Sequence, residues 1–560
     1  MTELYAIGID FGTLSGRAVL VDAKTGEVAA QAVKDYAHGV METALPDGTK
    51  LPADWALQHP GDYLEVLYEV IPAVMRMSGA SPEQVIGIGV DFTSSTVLPV
   101  DQEGHPLCLN PEFVGEPNAW VKLWKHHGAQ DQARRLTQVA AERGETFLTY
   151  CGGIINSELM IPKLLETLEL APEVYEQTEC FMEAGDWIVR NLIGENIRSA
   201  ATAGYKALWS KCDGPLSSEY LKAVNPKFEH LITEKLGGKL VQQGEAAGRL
   251  TKAAAERLGL RAGIPVTDGH LDGHVAGLAV GIDGPEKLLL VLGTSAGAMI
   301  CSEKKVAVPG SFGMVEDGLI PGYYCYEAGQ SCVGDMFNWF VKNSVPAAYA
   351  EEAREKEVTV HQLLTEKASK LKIGESGLIA LDWWNGNRSC LVDAELTGMF
   401  LGMTLSTKPE EMYRALLEAS VFGMRKIIDN FEENGIGIRQ IYACGGISRK
   451  NPLMMQIYAD VTNREVFIGA SDQCPALGSA IFGMVAAGAS GGGYDTVAEA
   501  AAKLGRVAAV SYKPIPENVV RYEALYQEFL LLHDYFGTGG NDVMKRLRRI
   551  RTAGKGTDNE

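Results

Sequence analysis

Two stretches of the chain share one hydrophobic pattern, in which an apolar run, a glycine-containing turn and a second apolar run follow one another. This succession is typical of a β-hairpin. The two turns are near copies, Phe-Gly-Thr-Leu-Ser-Gly over 11–16 and Leu-Gly-Thr-Ser-Ala-Gly over 292–297. Because one copy lies near the start of each half of the chain, the pattern predicts a duplicated domain. The flanking apolar runs are 6–9 and 18–21, then 288–291 and 298–300.

The rest of the pattern predicts a mixed α/β fold. Further strands are expected at 28–32, 85–90 and 97–100, and amphipathic helices at 63–75 and 129–142. Asp283-Gly284-Pro285 is a turn signal directly before the second hairpin. We therefore expect an N-terminal domain over 1–284 and a C-terminal domain over 285–560.

A long amphipathic helix is predicted from Lys408 to Asn434, with apolar residues near one broad face. Thr407 and Glu410 have the spacing of a capping box at its start. Gly435 follows its last residue and can supply the C-terminal cap.

Length and charge narrow the class of protein. A chain of 560 residues is longer than a domain with a single hydrophobic core usually is, which agrees with two domains. The formal net charge of −20 disfavours nucleic acid or an anionic membrane as a partner, since both require a positive surface. The ten cysteines form no C-x-x-C pair, which indicates neither a zinc site nor a disulfide framework. We expect a cytoplasmic protein with reduced thiols.

The two hairpin turns have the chemistry of a phosphate site. Gly12 and Thr13 in the first turn, and Gly293 and Thr294 in the second, offer backbone N–H groups and hydroxyls to phosphate oxygens. The turns differ at one matching position. Asp10 comes two residues before the first glycine of the first turn, and Val291 holds the same place before the second turn. Only the first hairpin can therefore offer a carboxylate to a metal ion.

The segment 267–277, Thr-Asp-Gly-His-Leu-Asp-Gly-His-Val-Ala-Gly, has more than one interpretation. His270, Asp272 and His274 would share one face of a strand and could bind a metal. The glycines between them suit a bend better than a rigid strand. If the segment bends, one of its carboxylates could lie at a cleft and act as a general base. The alternative is an aspartate in a solvated loop, without a role in chemistry.

A third glycine-containing segment lies at 441–451, Ile-Tyr-Ala-Cys-Gly-Gly-Ile-Ser-Arg-Lys-Asn. The pattern predicts an apolar strand, then Gly445-Gly446, then a helix. Because glycines have no side chains, adenine or ribose can lie against the main chain there. The phosphate-binding loop G-x-x-x-x-G-K-[ST] does not occur, and no G-x-G-x-x-G follows the first strand. The His-Arg-Asp loop of protein kinases is also missing.

The order of these segments resembles that of the FGGY carbohydrate kinases, a family of the actin/hexokinase/Hsp70-like superfamily. The resemblance runs from about Tyr5 to Ala487, and 398–404 is similar to the C-terminal signature of the family. It implies two ribonuclease H-like α/β domains around a deep cleft, with ATP and Mg²⁺ as the cofactors. In the family, the catalytic aspartate lies a fixed distance before the second Gly-Thr, so the resemblance implies this role for Asp272, with Asp268 as the alternative.

The resemblance also implies roles for single residues. Asp10 and Asp272 would hold Mg²⁺, Asp10 directly or through water. The ATP-binding residues would be Gly12, Thr13, Gly293, Thr294, Gly445, Gly446 and Asn451. Lys206, Asp272 and Glu327 would contact the sugar. From the residues alone, Lys206 could equally be a surface lysine, and Glu327 a structural partner of a helix end.

Within the family, the chain is most similar to the members that phosphorylate L-ribulose in L-arabinose catabolism. Ser94-Ser95 stands where glycerol and xylulose kinases carry Arg-Glu or Met-His, and we expect both serines to contact the sugar. Five further segments carry the same likeness, at 90–96, 117–127, 203–209, 326–331 and 382–388.

Other functions remain open at this stage. D-ribulose or ribitol would be alternative substrates on the same scaffold. A chaperone-like or actin-like ATPase would share the fold without the sugar, and a non-catalytic sugar sensor would need neither Asp10 nor Asp272. The resemblance implies a homodimer, although no segment indicates an interface by its composition.

Overall fold

The computed structural model describes residues 3–555 and has a mixed α/β architecture. No helix in that range is long and apolar enough to cross a lipid bilayer. The strands are β1 (Tyr5–Phe11), β2 (Ser15–Asp22), β3 (Val28–Asp35), β4 (Leu57–Gln58), β5 (Val85–Phe92), β6 (Val97–Val100), β7 (Val121–Lys122), β8 (Cys180–Glu183), β9 (Ile197–Ser199), β10 (Lys239–Val241), β11 (Gly248–Arg249), β12 (Pro265–Leu271), β13 (Glu286–Leu292), β14 (Ala296–Ser302), β15 (Gly313–Glu316), β16 (Tyr324–Gln330), β17 (Ile379–Leu381), β18 (Met399–Leu401), β19 (Ile438–Cys444) and β20 (Glu465–Ile468).

The α-helices cover the faces of the sheets and fill the insertions between their strands. They are α1 (Pro60–Ser78), α2 (Gln130–Arg143), α3 (Met160–Leu170), α4 (Pro172–Gln177), α5 (Ala184–Ile193), α6 (Ala200–Ala207), α7 (Ser218–Val224), α8 (Leu231–Lys235), α9 (Lys252–Leu258), α10 (Asp272–Ala279), α11 (Gly334–Ser344), α12 (Ala347–Glu355), α13 (Val360–Ser369), α14 (Pro409–Glu433), α15 (Gly446–Lys450), α16 (Pro452–Thr462), α17 (Cys474–Ala487), α18 (Val497–Leu504), α19 (Pro516–Gly537) and α20 (Val543–Lys555).

Two large sheets repeat one strand order. The first sheet runs β3-β2-β1-β5-β12 with β11 at its edge, and the second runs β16-β14-β13-β19-β20 with β15 beside β16. In each sheet an antiparallel hairpin lies next to a parallel strand, β5 in the first and β19 in the second. This repetition confirms the duplication and the two hairpins that the sequence predicts. We call 3–284 the N-terminal lobe and 285–555 the C-terminal lobe.

The long helix α14 begins one residue later than predicted. Its N-cap is Lys408, whose backbone N–H donates to the Glu411 carboxylate at 2.6 Å. Thr407 instead accepts from the N–H of Thr404, and Glu410 accepts from the hydroxyl of Tyr349. The predicted Thr407–Glu410 capping box is therefore wrong, because both side chains have other partners. The predicted glycine after the helix is confirmed by the positive φ of Gly435.

Helix α17 comes late in the sequence but packs on the first sheet. A Cβ atom on Gly8, Gly87 or Gly89 would lie 1.8–1.9 Å from a carbonyl oxygen of this helix. The helix backbone therefore rests directly on the strand backbones. Its apolar side chains join those of α10 and of the second sheet in one buried cluster, which connects the lobes. The boundary at 284/285 stays a prediction.

We expect Gly89→Ala to destabilise the protein by about 3 kcal/mol, since α17 would have to move away from β5. The apparent Tm, measured at one heating rate, should fall clearly below that of the wild type. Gly237→Ala is the matched control, because a Cβ atom there meets nothing within 4 Å. Equal melting temperatures for the two variants would contradict this account of the contact.

Candidate active site

Two aspartates lie side by side where the first hairpin meets its parallel neighbour. Strands β1 and β5 pair so that Asp10 is the direct partner of Asp91. Both are buried, and Arg17 on β2 reaches Asp10 with 3.4 Å between Nε and Oδ2. The hydroxyl of Ser479, on α17, donates to Asp91 Oδ2 at 2.6 Å. The hairpin, the parallel strand and the late helix thus converge on one carboxylate pair.

The surroundings of this pair disfavour negative charge. Burial raises the pKa of Asp10, in spite of the opposing charge of Arg17. Burial and the charge of Asp10 hold the pKa of Asp91 well above its ordinary value. Asp91 Oδ1 is buried and has no hydrogen-bond partner among the described residues. Clustered carboxylate oxygens of this kind are the ligands that Mg²⁺ prefers, so the donor set fits a divalent cation.

Asp272 lies near this pair, and its charge interacts with those of Asp10 and Asp91. Strand β12 ends at Leu271, and Asp272 is the first residue of α10, so the chain bends where the glycines predict a bend. Loss of hydration, together with the charge of Asp10, raises the pKa of Asp272 to about 7. A carboxylate with such a pKa is suited to accept a proton near neutral pH.

The bend separates His270 from His274 and excludes the strand-face metal site. His270 remains in β12 and stacks on Phe482, with 3.9 Å between ring centres. His274 lies in α10, where its Nε2 is 3.7 Å from Glu327. The interpretation of 267–277 as one metal-binding strand face is therefore wrong.

Lys206 and Glu327 meet across the lobes. Lys206 lies in the last turn of α6 in the N-terminal lobe, and Glu327 lies in β16 of the C-terminal lobe. Their Nζ and Oε2 atoms are 3.4 Å apart, and Lys206 is only 6% exposed, so it is not a surface lysine. Burial alone would raise the pKa of Glu327, but the charges of Lys206, His274 and Arg388 lower it below its ordinary value. Both residues also act electrostatically on Asp272.

The two glycine–threonine turns are braced differently. In the first, the Trp124 indole N–H donates to the Thr13 hydroxyl at 3.1 Å, and the Gln58 amide donates to the Thr13 carbonyl at 2.8 Å. The Thr13 hydroxyl keeps its own proton free to donate. In the second turn, backbone N–H groups at the start of α11 donate to the carbonyls of Gly293 and Thr294.

The Gly445-Gly446 turn lies against the second hairpin. A Cβ atom on Gly445 would lie 2.3 Å from the carbonyl oxygen of Leu292, and its φ is +93°. Both glycines are exposed. The Asn451 side chain accepts from the N–H of Met454 at 3.0 Å and caps α16. Asn451 therefore supports this edge through the helix start, and contact with adenosine stays a prediction.

Two protein-family models match this chain, one in each lobe. Residues 5–279 match the N-terminal domain, and residues 288–487 the C-terminal domain, of the FGGY family of carbohydrate kinases. The chain belongs to this family. A ribulokinase of Halalkalibacterium halodurans is 56% identical over 553 residues, which cover 99% of this chain and 98% of the relative. A ribulokinase of Geobacillus thermodenitrificans is 55% identical, with 98% and 97% covered.

Solved structures show that the FGGY kinase has the expected two-domain, actin/hexokinase-like fold. A ligand-bound xylulose kinase from Lactobacillus acidophilus superposes with a TM-score of 0.79 at 19% identity, over 96% of this chain and 99% of that one. A glycerol kinase from Plasmodium falciparum with ADP gives 0.74 at 15% identity, over 94% and 98%.

In this FGGY kinase a buried lysine holds the loop that carries Ser94 and Ser95. Lys163 Nζ donates to the carbonyl of Ser95 at 2.6 Å and to the carbonyl of Leu123 at 2.9 Å. Glu183 accepts from the N–H of Thr96 at 3.0 Å. Burial lowers the pKa of Lys163 and raises that of Glu183, and the charge of each group opposes this shift in the other.

Sequence reasoning missed Asp91, Lys163 and Glu183. A signal for Asp91 exists, because the pattern Gly-x-Asp-Phe ends β1 at 8–11 and recurs at the end of β5 at 89–92. Two strands with the same ending can pair in parallel with their aspartates adjacent. No comparable local signal marks Lys163 or Glu183, which are distant in sequence from the loop that they support.

We expect Lys163→Met to raise the KM for the sugar about tenfold, because two carbonyls beside the serine loop would lose their donor. Lys122→Met is the matched control. Lys122 is equally buried, but its contacts are Asn118, the carbonyl of Lys163, Glu166 and Thr167.

Both variants should lose about 3 kcal/mol or more of stability, because Lys122→Met breaks the buried ion pair with Glu166 and Lys163→Met removes a positive charge that acts on the buried Glu183. Steady-state kinetics and denaturant unfolding separate the two effects. An equal rise of the sugar KM in both variants would contradict the assignment of Ser94 and Ser95 to the sugar site.

Proposed function

We propose that this FGGY kinase is a ribulokinase, which transfers the γ-phosphoryl group of ATP to a terminal hydroxyl of L-ribulose and yields L-ribulose 5-phosphate. The observation that carries this proposal is the convergence of Asp272 with the Lys206–Glu327 pair between the two lobes. The likeness to ribulokinases over nearly the whole chain supports the choice of sugar.

Asp272 acts as the general base of the proposed reaction. The sugar oxygen bonds to the γ-phosphorus, the bond from that phosphorus to the bridging oxygen of ADP breaks, and Asp272 accepts the hydroxyl proton. Lys206 and Glu327 orient the sugar, Lys206 as a donor and Glu327 as an acceptor of hydrogen bonds. Positioning and charge neutralisation supply most of the acceleration, since phosphoryl transfer leaves little covalent work to the protein.

Asp10 and Asp272 would hold Mg²⁺, with Asp91 beside them as a further oxygen donor. When bound, the ion would neutralise charge on the β- and γ-phosphates. Thr13 and Thr294 donate N–H and O–H groups to the phosphates from opposite sides of the cleft. Gly12 and Gly293 shape the two turns, because their own N–H groups donate to the carbonyls of Ser15 and Ser295 at 3.0 and 2.9 Å. Gly445 and Gly446 leave flat backbone for the adenosine, and Asn451 borders it.

We expect strong ADP release with Mg·ATP and L-ribulose, and little release without sugar. The panel for a coupled assay is L-ribulose, D-ribulose, D-xylulose, ribitol, glycerol and no sugar. A preference for glycerol or D-xylulose would contradict the role assigned to Ser94-Ser95. Hydrolysis that no sugar changes would instead favour an ATPase of the same fold.

Asp272→Asn should lower kcat about 10³-fold, because the amide cannot accept the proton. ATP affinity, measured by calorimetry, should change little. In the wild type, kcat/KM should fall as the pH drops through the pKa of Asp272, since only the ionised form is a base.

Asp268→Asn is the control for this assignment. Asp268 lies in β12, and its Oδ2 accepts from the Gln243 amide at 3.4 Å, within the N-terminal lobe. Near-normal turnover by Asp272→Asn, together with loss of turnover by Asp268→Asn, would reverse the assignment.

A further inference from the structure

A second ion pair, between Glu158 and Arg388, crosses the cleft. Glu158 precedes α3 in the N-terminal lobe, and Arg388 lies in the loop between β17 and β18 of the C-terminal lobe. Arg388 Nη2 lies 2.8 Å from Glu158 Oε1 and 3.1 Å from Oε2. The side chains are 20% and 14% exposed, so the pair is better shielded from water than a surface ion pair.

The pair lies next to the proposed sugar site. The guanidinium carbon of Arg388 is 5.3 Å from the centre of the Phe312 ring, and the Lys206 ammonium is 4.8 Å from the centre of the same ring. Phe312 thus lies between the Lys206–Glu327 pair and the Glu158–Arg388 pair. His127 approaches Glu158 to 3.9 Å on the N-terminal side.

Each partner is held by its own lobe. The N–H of Ile155, three residues before Glu158, donates to the Thr137 hydroxyl of α2 at 2.9 Å. Next to Arg388, Asn387 accepts from the N–H of Leu391 at 2.9 Å, and Ser389 accepts from the N–H of Gly329. Because both segments are fixed in this way, separation of the lobes must break the ion pair. The apolar cluster around α10 and α17 needs no such break, since it lies at the connection of the lobes.

We propose that Glu158 and Arg388 form a latch that holds the sugar end of the cleft closed and limits the access of water to the γ-phosphoryl group. Both are positioning residues, because they act by holding the lobes together around Lys206, Glu327 and Asp272. A closed cleft excludes water, which could otherwise accept the γ-phosphoryl group. The identity of the sugar in this proposal rests on the proposed function.

The variants R388M and E158Q and their double variant test the latch. Each single variant should raise the sugar KM about tenfold and change kcat less than about threefold, because closure becomes less favourable. The double variant should raise the KM no further, since the pair is already broken. The ratio of sugar-independent to sugar-dependent ATP turnover should rise in all three.

The variant K211M is the matched control. Lys211 also pairs across the lobes, with Asp317, but its side chain is 43% exposed and neither residue belongs to the proposed site. K211M should leave the sugar KM and the turnover ratio unchanged. Additive effects of R388M and E158Q, or an equal effect of K211M, would overturn the latch.

Small-angle X-ray scattering tests closure without any turnover. Ligand-free R388M should have a larger radius of gyration than the wild type and K211M, and equal radii would overturn the latch. Failure of the proposed function has a different signature, because the wild type would then phosphorylate another sugar or none. The scattering comparison remains decisive in either case.

Discussion

The parallel pairing of β1 with β5 is the constraint on which the rest of the structure depends. It places Asp10 and Asp91 side by side in the interior, where two negative charges are unfavourable unless a proton or a cation accompanies them. Arg17 approaches one oxygen of Asp10, and Ser479 donates to one oxygen of Asp91. Because Ser479 belongs to α17, the helix that ties the late sequence to the first sheet also contributes to the site.

The two lobes share one strand order but differ in the residues of their hairpins. Both sheets place a glycine–threonine turn between antiparallel strands beside a parallel strand. Where the first hairpin has Asp10, the second has Val291, and its turn is braced by the backbone of α11 rather than by Trp124 and Gln58. The N-terminal lobe therefore carries the buried carboxylates, and the C-terminal lobe carries the exposed Gly445-Gly446 backbone.

The contacts between the lobes are of two kinds. Around α10 and α17 they are apolar and backbone-close, as the glycines of β1 and β5 require. Near the proposed sugar site they are ion pairs, Lys206 with Glu327 and Glu158 with Arg388. Apolar contacts of this density resist separation, whereas charged side chains can exchange their partners for water. In the proposed latch, the lobes stay joined around α17 and separate at the ion pairs.

The sequence by itself determined the hairpins, the long helix, the bend before Asp272 and the residues of both glycine–threonine turns, because these features depend on neighbours within a few positions. Helix α14 begins one residue later than the sequence predicts, because Thr407 and Glu410 form hydrogen bonds with Thr404 and Tyr349 instead of capping the helix. Only the tertiary structure decided that Asp91 joins Asp10, that Lys163 supports Ser95 and that Lys206 meets Glu327. The two lysine contacts join residues 68 and 121 positions apart, and the aspartate pair lies across two parallel strands. Local periodicity does not determine which distant segments pack together.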